Sequence, residues 1–178
     1  MKQFPFVPLL ILLSLPLAIG CGSAGESTAT APIATPVSID GSKFLLAEEP
    51  EDAVGVIEAR ESSEDGKSLA LVGRIGGSTN PWIEGRAAFM LLDASMSVVA
   101  EGEDCEDGEI CTGDCCATER LECTALVKLV DAEGKLVSVD SRELLGLKES
   151  DLIVVKGQAK KDESGNFVML AKSIYIRR

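Results

Sequence analysis

Five of the six cysteines of this chain fall close together, at Cys105, Cys111, Cys115, Cys116 and Cys123, with the spacing C-x5-C-x3-C-C-x6-C. Thiols this close in sequence have two chemistries open to them, crosslinking as disulfides or holding a soft metal as thiolates. Cys115 and Cys116 are neighbours, with Cα atoms about 3.8 Å apart across a trans peptide, so a bridge between them would be strained and each is expected to pair elsewhere. Five thiols leave one over from two bridges, and the spacing leaves the connectivity open. Four sulfurs in one loop could instead surround zinc tetrahedrally, although no C-x2-C pair occurs and the chain has no histidine to complete a set. The same stretch, residues 101–123, holds carboxylates at 101, 103, 104, 106, 107, 109, 114 and 119 before its first basic residue, Arg120. Such an environment raises a thiol pKa and disfavours a reactive thiolate. Residues 104–108 do not follow the D-x-[DN]-x-[DN]-G order of a calcium loop, so the acids read as a solvated loop.

Little else in the chain could catalyse. Without histidine the commonest general base is missing, and there is no G-x-S-x-G elbow, glycine-rich phosphate loop or C-x-x-C-H haem motif. The expectation is a protein that is not an enzyme and has no cofactor. Trp82, the single tryptophan, follows Asn80-Pro81 and is either an exposed ligand contact at a barrel mouth or a plug under its own loop. A net charge of −12 opposes a phosphate-tracking surface, so nucleic acid is not the expected partner.

The elements that must carry these residues are short. Over 178 residues, 46% of them hydrophobic, there is room for one domain and a tail. Residues 43–47 could add an edge strand. Residues 51–61 (EDAVGVIEARE) suit a helix, with Ala53, Val56, Ile57 and Arg60 on one face, and suit a strand nearly as well. Strands are predicted at 68–75 (SLALVGRI), 87–93, 124–130, 152–159 and 166–176, with a hairpin partner at 136–139. Asp140 and Glu143 read as a capping box opening a short helix. The stretch 101–123 shows neither helical nor strand period and is expected to be held by crosslinks, by metal, or by its flanking strands. The predicted core is Val72, Phe89, Leu91, Val127, Leu144, Val154, Leu170 and Ile174.

The order of three strands, a helix and two strands, with VGRI at 72–75, FMLLD at 89–93 and DLIVVKG at 151–157, resembles the OB-fold over roughly 68–178. The fold class is therefore all-β with minor α: an OB-like five-stranded Greek-key barrel with one short helix, preceded by a disordered tether. The cysteine-rich stretch is then an insertion between the second and third barrel strands.

At the N-terminus, Lys2 precedes an apolar run over 4–19 that ends at Gly20-Cys21, the layout of a secretory signal. Leu17-Ala18-Ile19-Gly20-Cys21 resembles the lipobox of bacterial lipoproteins. That resemblance implies cleavage before Cys21, lipidation of its sulfur and a membrane anchor. Residues 22–41 are rich in Ser, Thr, Ala, Gly and Pro and read as a flexible spacer. Gly22 lacks the aspartate that marks inner-membrane retention in lipoproteins, which favours the outer membrane, facing the periplasm. Export also favours disulfides over free thiols. The whole resembles secreted bacterial lipoproteins of uncharacterised type with a cysteine-rich insertion. The organisation expected is a signal over 1–20, a tether over 21–42 and the barrel domain over 43–178. Its partners are the membrane and an unidentified protein, glycan or small ligand.

Overall fold

The structure is a computed structural model that describes residues 39–99, 106–113, 116–163 and 165–178. The expected signal, Cys21 and the expected tether up to residue 38 lie outside the described residues, as do Cys105 and Cys115 of the insertion and Ser164 of the last turn; the last four tether residues, 39–42, are described, and Asp40, Gly41 and Ser42 belong to a capped 3-10 turn.

Five strands close on themselves. β2 (Ser68–Ile75) pairs antiparallel with β3 (Ala88–Asp93), β3 with β6 (Thr124–Leu129), β6 parallel with β8 (Phe167–Ile176), β8 antiparallel with β7 (Leu152–Lys161), and β7 back onto β2. Numbered within the barrel, the order is 1-2-3-5-4-1, with the parallel pair between the third and fifth strands; this is the OB Greek-key barrel. Closure leaves the barrel strands no continuous free edge. β1 (Ala53–Gly55) runs parallel to the middle of β2, opposite Ala70, Leu71 and Val72, and β4 (Ser97–Val99) pairs parallel with β5 (Glu109–Cys111) in a separate two-stranded sheet.

Alternation puts one face of each strand inside. Leu71 and Ile75, Phe89 and Leu91, Val127 and Leu129, Ile153 and Val155, Met169 and Ile174 fill the barrel. Of the predicted core, Phe89, Leu91, Val127 and Ile174 sit there, and Leu144 packs half-buried against it. Val154 is fully buried but pairs with Val72 on the opposite face of its strand from Ile153 and Val155. Val72 and Leu170 are corrections: both are half-buried on the outer face. Arg74 shares the parity of Val72, and a charged residue at that spacing marks the outward side. Leu170 and Ile174 are four residues apart and would share a face in a regular strand, but β8 carries a bulge. Lys156 pairs with Ser173 and Gly157 with Ala171, so the inward set changes from Ile174 to Ala171, Met169 and Phe167.

Residues 51–61 form both a strand and a helix. Ala53–Gly55 adds to β2, and α1 (Val56–Ser62) starts immediately afterwards. What fixes the switch lies far along the chain: the buried Asp93 carboxylate at the end of β3 accepts the Ile57 amide at 2.9 Å. A Cβ on Gly55 would fall 2.7 Å from Asp93 Oδ2, so only glycine leaves the carboxylate room. The other oxygen accepts the Ser95 amide and hydroxyl, at 2.9 and 2.6 Å. Burial raises the carboxyl pKa, but these hydrogen bonds outweigh it and hold the group below its ordinary value.

The edge strand expected at 43–47 is instead a 3-10 turn, Gly41–Phe44, capped by Asp40, followed by a single bridge from Leu45 to Ile174. Val130 and Leu136 form only one bridge of the predicted hairpin. α3 (Ser141–Leu145) is capped by Asp140, as expected, but the residue that closes on the cap is Arg142. Its guanidinium grips both carboxylate oxygens at 2.8 and 2.7 Å and draws the Asp140 pKa down to about 2. With α1 and α2 (Ala117–Cys123), the described residues contain three short helices where one was expected.

Candidate functional site

The cysteine insertion builds a wall on the barrel. Its described part contains β5 and α2, although the stretch shows neither helical nor strand period. Three and seven residues are too few to display a period, and α2 buries only Cys123. What holds them is a second, small apolar cluster. Ile110 of β5 and Cys123 of α2 pack on Leu92 of β3, with Ile57 and Met96 against them. Arg120 adds a polar tie from α2 across to the loop, its Nη1 donating to the carbonyls of Cys111 at 2.8 Å and Gly113 at 2.7 Å.

Among the candidate disulfide or metal residues, the structure brings Cys111 and Cys116 together, with their sulfurs 3.1 Å apart. Cys123 is set apart: it is buried, and its thiol donates to the Arg120 carbonyl at 3.6 Å. Burial pushes the Cys123 thiol pKa up, and the nearby Asp93 charge adds to the shift, so the group stays protonated at neutral pH. Among the described residues no three cysteine or carboxylate side chains converge as a metal site would require.

α2 then stands over the outer face of the barrel. Met90 of β3, Leu126 of β6 and Val168 of β8 are direct register partners, forming a half-buried apolar row across three adjacent strands. With strands about 4.8 Å apart, the row is about 10 Å long. It floors a groove of about 620 Å³ walled by Thr118, Leu121 and Glu122 of α2 and by Asp162, Gly165 and Asn166 of the β7–β8 turn. Leu121 is 62% exposed, the most open large apolar side chain among the described residues. Arg60 fastens the groove's end. Its guanidinium donates to the carbonyls of Thr124 at 3.2 Å and Gly165 at 3.1 Å, and lies 5.7 Å from the centre of the Phe167 ring.

A second cleft of about 490 Å³ opens between α1 and α2 and shares Arg60 and Glu122 with the groove; Ile57, Met96 and Cys123 line it. Trp82, the candidate ligand contact, is not part of either. It is half-buried, tilted 60° against Phe89 at 6.1 Å, and covered by Arg142 at 5.4 Å. Two basic residues of the C-terminal hairpin are engaged elsewhere: Lys160 faces Asp65 at 3.7 Å, and Arg177 pairs with Glu49.

Sequence reasoning missed the groove because its floor is made by outward residues of three strands distant in sequence. The available signal was parity: Met90, Leu126 and Val168 are apolar at positions where a solvated outer face would carry polar side chains. Among the described residues no helix is long and apolar enough to cross a membrane. No protein-family model matches this chain, and no curated protein sequence matches it.

Proposed function

We propose that this chain is a non-enzymatic cell-envelope lipoprotein, held to the membrane by acyl chains on Cys21, whose OB barrel is a binding module. The single observation that carries the binding reading is the groove over Met90, Leu126 and Val168, an apolar floor with polar rims of the kind that ligand sites use. It lies on the second, third and fifth barrel strands beside the turn between the fourth and fifth, and so overlaps the second and third strands and that turn, through which OB barrels take their ligands. The anchor reading rests on the Gly20-Cys21 junction, and more than one acyl chain is what stable attachment needs. The acidic insertion is stapled by two disulfides, neither joining Cys115 to Cys116. The approach of Cys111 to Cys116 supports a crosslinked loop.

Two experiments test this. Intact mass of the purified chain should show acyl groups that are absent from Cys21→Ser, and reduction should add two hydrogens for each of two bridges. An unlipidated wild-type mass, or no gain on reduction, contradicts the corresponding part. A photoreactive residue in place of Leu121 should crosslink to an envelope component, while one in place of Glu133, in the turn after β6, should not. Equal crosslinking at both positions contradicts the binding face.

A further inference from the structure

The charges around the groove select its occupant, an inference that rests on the binding reading above. Among the described residues that line the groove and the adjoining cleft are the carboxylates of Glu61, Glu119, Glu122 and Asp162, against one cation, Arg60. That guanidinium already donates to two backbone carbonyls and covers the Phe167 ring. An anionic ligand would meet these carboxylates, in a chain that carries −12 overall, while further described cations of this outer face stand outside the groove's lining: Lys128, two residues on from Leu126, and Lys160, which pairs in register with Val168 and faces Asp65 at 3.7 Å. The floor, by contrast, is apolar and straight, about 10 Å across three strands, the reach of about three extended residues. We propose that the groove is a docking surface for an extended segment of a partner protein in which apolar side chains alternate with lysine or arginine. The apolar side chains lie on Met90, Leu126 and Val168 under Leu121, and the cations face Glu122; Asp162, whose two oxygens accept from the Asn166 amide and Nδ2 at 2.9 and 2.7 Å, adds its charge at the opposite rim. A row of three residues is a small contact, so binding is transient and depends on the charges for its rate and selectivity.

The test uses the full chain in detergent micelles and three short labelled peptides that alternate leucine with lysine, with glutamate or with serine. Fluorescence anisotropy reads binding at low salt and at about 0.5 M salt, where the Debye length falls to a few ångströms. The lysine peptide is expected to bind, to weaken with salt, and to be the strongest of the three. Leu121→Ser, which leaves the charge unchanged, should weaken it about tenfold, the worth of roughly half a leucine side chain kept in water. Glu122→Lys should weaken it about fivefold, and Glu133→Lys, which changes the net charge equally, much less. Both Leu121 and Glu122 are exposed, so neither substitution threatens the fold.

Equal or tighter binding of the glutamate or serine peptide overturns the cationic partner, while continued sensitivity to Leu121→Ser keeps the groove as the binding face. Failure of all three peptides also overturns the peptide partner. If an oligosaccharide then binds and responds to Leu121→Ser, the binding module stands. Binding of the lysine peptide that ignores both groove substitutions, or that responds alike to Glu122→Lys and Glu133→Lys, places the contact elsewhere and overturns both readings.

Discussion

Replacing Gly157 by valine is expected to unfold the barrel or destabilise it by about 3 kcal/mol or more. Gly157 lies on β7 at the bulge, where β8 presses closest. A Cβ there would fall 2.1 Å from the Leu170 carbonyl oxygen and 2.8 Å from the Ala171 Cα, and both obstacles are backbone. The clash can be relieved only by parting β7 from β8, the longest paired strands in the barrel. Lys156→Val at the exposed neighbouring position is the control, with an expected change within about 0.5 kcal/mol. Urea unfolding of both variants checks this, and matching midpoints would contradict it.

Phe89→Ala is expected to cost about 3–5 kcal/mol, the range for removing a fully buried phenylalanine. Phe89 is 1% exposed and is the largest of the side chains buried to below 2%. Its ring also supports Trp82 from beneath, and the two residues are joined by a backbone bridge. Loss of the ring should therefore move the emission of the only tryptophan to the red as well as lowering the unfolding midpoint. Emission at the wild-type wavelength in a destabilised variant would show that Trp82 is held by Arg142 and its loop instead.

The barrel could be read from the sequence because its determinants are local. SLALVGRI, AFMLLD and TALVKL are apolar runs that end at turn residues, and Asp140 caps its helix from the position directly before it. Where the reading fell short, the determinant was a distant partner. Residues 51–61 have no internal reason to change from strand to helix after Gly55; Asp93 supplies it from the end of another strand. The bulge that turns Leu170 outward arises from pairing with Gly157, a close approach that β8 does not announce. For the site the same holds more strongly. The cysteine spacing drew attention to the insertion, but its contribution to the groove comes from Leu121 and Glu122, which read as ordinary members of an acidic stretch. Trp82, conspicuous as the only tryptophan, faces the core and Arg142 rather than the groove.

On the proposed reading a ligand settles on the outer face of β3, β6 and β8 beneath α2, and the methionines report on it directly. Of the four, Met90 lies in the floor of the groove, Met96 lines the adjoining cleft, Met169 is fully buried in the barrel, and Met1 belongs to the expected signal. The measurement is a methyl carbon–proton NMR spectrum of methionine-labelled full chain in micelles, titrated with the lysine–leucine peptide. The expected result is a saturable shift of the Met90 methyl with Met169 unmoved. Saturable binding that leaves Met90 in place would contradict that reading.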